Sequence, residues 1–142
     1  MNCITVSGGT KRKRALVESV AEFMVQQLLP RHRTLDIEII LSNLMKDSGV
    51  CGFCNAYAER EFMIELDKTL DHYDLIETVC HEMIHLKQYA RRELRQDANG
   101  NTMWKKKAYN TVDYWDAPWE KEAFKLEGKL ATECFQQMKV VL

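Results

Sequence analysis

His81-Glu82-Met83-Ile84-His85 is the most informative stretch of this sequence. It lies in a segment, from about Tyr73 to Leu94, whose apolar residues recur with helical spacing. Residues four apart are neighbours on a helix surface, with about 6 Å between their Cβ atoms, so both imidazoles can reach one metal ion. Neutral imidazole is a good zinc ligand, and Glu82 is placed to act as a general base beside the metal. The alternative is a pair of histidines on an exposed helix face.

A catalytic zinc needs a third protein ligand in addition to the two histidines. His32 and His72 are poorly placed for this, and no histidine lies downstream of the pair. The last predicted helix begins with Glu120 and Glu122, which point about 200° apart, so only one of them can face the metal. Ala123 lies beside Glu122 and Leu126 lies four residues after it, both on the apolar side of that helix. This favours Glu122 as the ligand, with Glu120 in reserve. The alternative is two solvated acids that stabilise the helix N-terminus.

The patterns around this motif predict a single α+β domain over residues 1–142, with a small mixed sheet packed against helices. Alternating or short apolar runs predict strands at residues 2–6, 35–41, 52–58 and 62–67. Helical spacing predicts an N-terminal helix over residues 10–29, the motif helix, and a C-terminal glutamate helix from residue 116 towards 141. The turn chemistry at residues 47–49 and the aperiodic stretch 96–115 indicate connecting segments, the second of them a long loop.

Composition narrows the classes of function. The chain has 142 residues, of which 46% are hydrophobic, and its 20 basic and 21 acidic residues give a formal net charge of -1. Near-neutral charge disfavours nucleic acid as a partner, and no apolar run is long enough to cross a membrane. The N-terminus has no apolar core of the kind found in signal peptides. Five cysteines, an odd number, predict reduced thiols and a cytoplasmic location.

His81-Glu82-x-x-His85 followed by Trp119-Glu120-Lys121-Glu122-Ala123 resembles the gluzincins, zinc peptidases whose third ligand is a glutamate on a second helix. The small size is similar to that of the minigluzincins. The segment from Tyr114 to Glu120 also resembles small phage-encoded SprT-like HExxH proteins, which implies a phage-encoded protein that acts in the host cell. The resemblance covers Phe62 to Phe124. True SprT proteins have a third histidine that is missing here, so their role in DNA–protein crosslink repair is not carried over.

The resemblance implies a zincin-like fold with one catalytic Zn²⁺ held by His81, His85 and Glu122. It further implies hydrolysis of peptide bonds through a zinc-bound water that is activated by Glu82. The substrate would be a peptide or protein.

Two further expectations come from the resemblance. A tyrosine near the metal would stabilise the oxyanion, for which Tyr114 is the candidate, with Tyr109 behind it. The strand before the motif helix, Phe62 to Asp67, would be the sheet edge that pairs with an extended substrate. Core packing of the tyrosines and a strand edge blunted by its acidic residues are the alternatives.

Two other classes of function stay open at this point. One is a non-catalytic module, such as a zinc-stabilised structural or assembly protein encoded by a virus. The other is a nucleic-acid-associated protein that uses the basic clusters Lys11-Arg12-Lys13-Arg14 and Lys105-Lys106-Lys107. The pair Cys51 and Cys54 has the spacing of a zinc knuckle or a redox pair, although free thiols are favoured. Self-association is also left open.

Overall fold

The computed structural model describes residues 1–109 and 112–138, and its architecture is mixed α+β, as the sequence predicts. The elements are β1 (Cys3–Gly8), α1 (Lys11–Leu28), β2 (Asp36–Ser42), α2 (Leu44–Ser48), β3 (Gly52–Ala58), β4 (Glu61–Asp67), α3 (His72–Ala90), β5 (Leu94–Gln96), β6 (Thr102–Trp104), β7 (Lys107–Tyr109) and α4 (Pro118–Met138). A short 3-10 helix covers Tyr114–Asp116. None of the described helices is long and apolar enough to cross a lipid bilayer.

The main sheet has the strand order β1-β2-β4-β3. Strands β1, β2 and β4 run parallel, and β3 pairs antiparallel with β4. The alternation in β2 is confirmed, because Ile37, Ile39 and Leu41 are buried on one face of the sheet. One face of each strand therefore packs against the helices, as a half-buried sheet requires.

The expected substrate-binding edge is not where the sequence places it. Strand β4 contains the predicted segment Phe62–Asp67, but its backbone bonds to β2 on one side and to β3 on the other. Its main-chain groups are therefore already paired and cannot bind a further strand. The free edge on this side of the sheet belongs to β3, which pairs with β4 alone among the described strands. Order in the sheet depends on long-range pairing, which local sequence patterns do not contain.

Helices α1 and α3 pack against each other and against the sheet, and α4 packs against α3. Thr10 caps the N-terminus of α1, since its side chain accepts a hydrogen bond from the Lys13 N–H at 3.2 Å. Helix α3 begins after Asp71, whose carboxylate accepts from the Asp74 N–H at 2.8 Å. From Val79 to Gln88 helix α3 is buried throughout, so the histidine motif lies inside the protein and faces α4.

The predicted loop over residues 96–115 is wrong in part, because β5, β6 and β7 form a small antiparallel sheet there. Trp104 in this sheet packs against Trp119 of α4, with ring centroids 6.4 Å apart. Strands of three residues are too short to show a periodic pattern. The motif helix is shorter than predicted, since α3 ends at Ala90 and Leu94 belongs to β5. The predicted turn at residues 47–49 lies at the end of α2, a short helix that the sequence analysis does not predict, and Gly49 closes it with φ 77°. The predicted helix end near Val141 lies outside the described residues.

Candidate metal centre

Three buried side chains from two helices meet at one point. His81 and His85 of α3 each place Nε2 3.1 Å from Oε1 of Glu120 in α4. Their exposed fractions are only 7%, 7% and 8%. Ligand atoms held by a tetrahedral zinc at about 2.0–2.1 Å lie about 3.3 Å from one another, close to the spacing observed here. This group could therefore hold a metal ion.

The hydrogen bonds on the far side of each imidazole test whether a metal fits. Nδ1 of His81 lies 2.6 Å from the carboxylate of Glu127, and Nδ1 of His85 lies 2.8 Å from Oε1 of Gln88. The amide orientation of Gln88 is fixed because its Nε2 donates to the Trp119 carbonyl at 3.0 Å. Each Nδ1 thus faces an acceptor and must carry the proton.

A neutral imidazole has a single N–H, so its other nitrogen then carries a lone pair. In both His81 and His85 that lone pair would point at the carboxylate of Glu120, an unfavourable contact unless a cation lies between them. A metal ion at this point satisfies all three ligands, with the two imidazoles neutral and oriented by their outer partners. These donor atoms are therefore better satisfied when a metal ion is bound than when the site holds no ion.

Without a metal, protons take the place of the cation. Burial alone would lower the pKa of His81, but hydrogen bonds to Glu120 and Glu127 outweigh it and raise the pKa to about 9. The pKa of His85 is also raised, since its hydrogen bond to Glu120 outweighs burial. Burial opposes ionisation of Glu120, yet its bonds to both histidines hold its pKa at about 2. The metal-free site is therefore a buried imidazolium–carboxylate cluster.

This cluster predicts how the stability of the metal-free protein depends on pH. Because the folded pKa of His81 lies above its ordinary value of 6.5, the stability it contributes is present below pH 6.5 and is lost as the pH rises through about 9. The loss is on the order of 3 kcal/mol for a group shifted this far. Zinc removes the need for the second proton, so the zinc-loaded protein should not show this loss.

Urea unfolding at pH 6.5 and at about pH 9.5, with chelator or with stoichiometric zinc, measures the difference. Burial also raises the pKa of the thiols of Cys54 and Cys80. Those thiols are common to both forms of the protein, so the comparison between forms isolates the histidines. An equal pH dependence of the two forms would contradict the assignment.

The preference for Glu122 as the third ligand is corrected by the structure, which brings Glu120 to the histidines instead. Glu122 accepts hydrogen bonds from Lys87 Nζ at 3.0 Å and from Gln88 Nε2 at 3.1 Å. Burial disfavours its charged form, but these two donors lower its pKa. Its carboxylate thus ties α4 to α3 and helps to orient Gln88, the partner of His85.

The face of α4 that packs on α3 explains the correction. Ala123, Leu130 and Cys134 are buried on one stripe of the helix. Glu120 lies three residues before Ala123, about 60° away around the helix, whereas adjacent Glu122 lies about 100° away. Counting back along the stripe in helical steps would have selected Glu120. The same count selects Glu127, because it lies seven residues after Glu120. Glu127 is not among the site residues predicted from the sequence.

A cavity of about 210 Å³, the metal cavity, opens at the three candidate ligands, and Glu82 lines it. Burial raises the pKa of Glu82, although the nearby histidines act in the opposite direction. A carboxylate with a raised pKa exchanges protons closer to neutral pH, which suits a general base and acid. The structure thus places Glu82 beside the ligand cluster and among the walls of an accessible space.

Tyr114 also lines this cavity, whereas Tyr109 is not part of its lining. Burial, together with the charge of Glu120 and a hydrogen bond to it, raises the pKa of Tyr114 to about 12. Its hydroxyl therefore keeps its proton and can donate a hydrogen bond. The ring of Tyr109 instead packs edge-on against Trp119, with centroids 5.8 Å apart.

The two cysteines with knuckle-like spacing are both free thiols. Cys54 lines the metal cavity, and burial and the charge of Glu82 hold its pKa well above the ordinary value. It is therefore a neutral thiol next to the site. It does not belong to the cluster of ligand atoms formed by the described residues.

Several side chains of the two basic clusters make contacts within the protein itself. Lys13 Nζ donates to the Lys68 carbonyl at 2.6 Å, and Arg14 donates to the carbonyls of Gly8 and Gly9. In the second cluster, the ammonium groups of Lys105 and Lys107 lie over the rings of Trp104 and Tyr109, at 5.0 and 5.5 Å from the ring centroids. These contacts account for several of the charges without a nucleic acid.

Comparison with known proteins adds no relative. No protein-family model, no curated protein and no solved structure matches this chain. The motif and the geometry of the site therefore indicate the function of this chain.

Proposed function

We propose that this protein is a zinc-dependent metallopeptidase of the gluzincin type, with a zincin-like fold. The observation that carries this proposal is the meeting of His81, His85 and Glu120 at a cavity that Glu82 also lines. Two imidazoles and one carboxylate form a ligand set that zinc uses in hydrolytic enzymes, where a fourth position stays open. The cytoplasmic location expected from the sequence is part of the same proposal.

The chemistry divides between the ion and the side chains. A bound zinc ion would polarise the scissile carbonyl and make water more acidic. Glu82 accepts a proton from the attacking water and delivers it to the leaving amine, a cycle for which a raised pKa is suited. Tyr114 donates a hydrogen bond to the oxyanion that develops from the carbonyl oxygen.

The substrate in this proposal is an extended peptide that pairs with β3, the edge strand beside the metal cavity. Gly52, Phe53 and Cys54 of β3 line the metal cavity, so a peptide added to this edge would pass over the ligands. A Cβ on Gly52 would lie 2.9 Å from the side chain of Thr78 in α3. The missing side chain at Gly52 thus permits the close approach of β3 to the motif helix.

The alternatives receive less support from the same residues. A structural zinc site is closed by four protein ligands. Within residues 1–109 and 112–138 the cluster supplies three, and a cavity adjoins them. A nucleic-acid role would need basic side chains free to contact phosphate, and Lys13 and Arg14 are bound to backbone carbonyls instead. Two histidines and one carboxylate can also bind iron(II), so the metal itself must be identified.

Zinc-dependent cleavage of unfolded proteins and peptide mixtures tests the proposal. We expect products with the zinc-loaded chain, no products after chelation, and recovery when zinc is added back. Iron(II) added back under anaerobic conditions serves as the metal control. A zinc-loaded chain that cleaves no protein or peptide across a broad library would contradict the proposed function.

A further inference from the structure

A second cavity, of about 530 Å³, adjoins the metal cavity along the C-terminal half of β3. Tyr89 and Leu94 line both cavities, so the two are contiguous. The second cavity is also lined by Arg92 and Arg95, and within the part of the chain that the structure describes neither guanidinium has an ion-pair partner. Its acidic lining residue is Glu59, so two positive charges against one negative charge leave a net charge of +1.

The backbone at Arg92 adds a second observation. Arg92 follows the end of α3 with φ 59°, in the left-handed region. Glycine is the usual residue at such a helix end because it has no Cβ to clash with the backbone. A long cationic side chain is therefore held at a position where its backbone is disfavoured. Local strain of this kind is a reason to look for a function of the side chain.

We propose that the second cavity binds a carboxylate side chain of the substrate, on the N-terminal side of the bond that is cleaved. This inference rests on the proposed peptidase function and adds the substrate specificity of that peptidase. Arginine binds carboxylates through two parallel charge-assisted hydrogen bonds, whereas an amide of the same shape forms weaker bonds. The preferred substrate would therefore carry Glu or Asp at the position that lies over Arg92 and Arg95.

The direction follows from the course of β3. The strand passes the metal cavity at Gly52–Cys54 and then the second cavity at Asn55–Ala58. Antiparallel pairing is the more stable arrangement, so a bound peptide would run opposite to β3. Its N-terminal part then crosses the second cavity before its chain reaches the metal ligands.

A proteome-derived peptide library, cleaved by the zinc-loaded full-length chain and read by mass spectrometry, tests the position. We expect acidic residues to be enriched before the cleaved bond and not after it. A peptide pair that differs only by Glu or Gln at the enriched position then gives the preference. We expect the ratio of kcat/KM for Glu over Gln to be about tenfold, a typical gain for a charge-assisted pair.

Three substitutions assign the preference to the cavity. Arg92→Gly and Arg95→Gln, combined, should bring the Glu-to-Gln ratio close to one. Because glycine suits φ 59°, Arg92→Gly should also raise the melting temperature, by about 2–4 °C, so a lost preference cannot be due to unfolding. Arg91→Gln is the matched control: Arg91 is an exposed neighbour outside the cavity lining, and the variant should keep the ratio.

The outcomes separate the inference from the proposed function. Cleavage with equal rates for the Glu and Gln peptides, or a preference that survives in the double variant, would overturn the inference and leave the peptidase function intact. Enrichment of acidic residues only after the cleaved bond would also overturn it. If the zinc-loaded chain cleaves nothing in the library, the proposed function fails and this inference fails with it.

Discussion

Replacing Glu120 with alanine should lower the affinity for zinc by at least about 100-fold, because loss of even an outer partner of a ligand costs about 10–100-fold. The Oε1 atom of Glu120 lies 3.1 Å from both imidazole Nε2 atoms, and the described residues offer no other ligand atom in this cluster. Competition with a chromophoric chelator measures the affinity at a fixed pH.

Glu122→Ala is the matched control for this experiment. Glu122 lies two residues away on the same helix, and its carboxylate binds Lys87 and Gln88 rather than the histidines. We expect this variant to unfold more easily, by about 1–2 kcal/mol, since it leaves the buried Lys87 with one partner fewer. Its zinc affinity should fall by much less than that of Glu120→Ala. The reverse order of the two affinities would restore Glu122 as the ligand and contradict the site described above.

Glu82→Gln should reduce the rate of peptide cleavage by about 10²–10⁴-fold, the usual contribution of a general acid–base group. The amide has the same shape as the carboxylate but can neither take up nor release the proton. Since Glu82 is not in the ligand cluster, the variant should still bind one zinc ion with nearly unchanged affinity. Steady-state kinetics on one library-derived peptide, alongside the zinc content of each preparation, provides both readouts.

Two results would go against the assignment of Glu82. Full activity in Glu82→Gln would mean that another group moves the proton. Loss of zinc together with activity would mean that Glu82 supports the site structurally. Asp74→Asn provides a control, since Asp74 is another acid of α3 and lines neither of the cavities that His81 and Glu82 line.

The motif helix and the strand pattern could be predicted because each depends on local spacing. The sequence shows the alternation of Ile37, Ile39 and Leu41, and the structure buries these three residues on one face. It also shows the step of four between His81 and His85, and the structure places both on one helix. The apolar residues of α3 recur on one side and predict burial of one face, whereas the structure buries every residue from Val79 to Gln88 because other elements cover the helix on several sides.

The choice between the two glutamates was local as well, yet the prediction was wrong. It used Ala123 beside Glu122 and Leu126 four residues after it, but Leu126 is only partly buried, and the buried stripe runs through Ala123, Leu130 and Cys134 instead. Glu120 and Glu127 lie on the stripe that packs against α3, together with Leu130 and Cys134. Helical periodicity, applied backwards from the buried residues, contains this information.

The strand order could not be predicted in the same way. Strand β3 precedes β4 in the chain but lies outside it, at the edge beside the metal cavity. Which strand lies at an edge of the sheet depends on pairing between segments far apart in the chain. The sequence pattern of β4 is the same whether one or both of its sides are paired. The small sheet of β5, β6 and β7 was missed because its strands have three residues each. Packing of Trp104 on Trp119, a long-range contact, brings it to the site.

His81, His85 and Glu120 should together bind one zinc ion. Zinc K-edge X-ray absorption on protein loaded with one equivalent of zinc and then desalted measures which atoms hold it. We predict about one retained zinc per chain, a first shell of nitrogen and oxygen alone at about 2.0–2.2 Å, and outer-shell scattering from two imidazoles. A sulfur shell at about 2.3 Å would mean that cysteines bind the ion. A chain that retains no zinc would mean that these residues do not bind it. Either result would contradict the assignment.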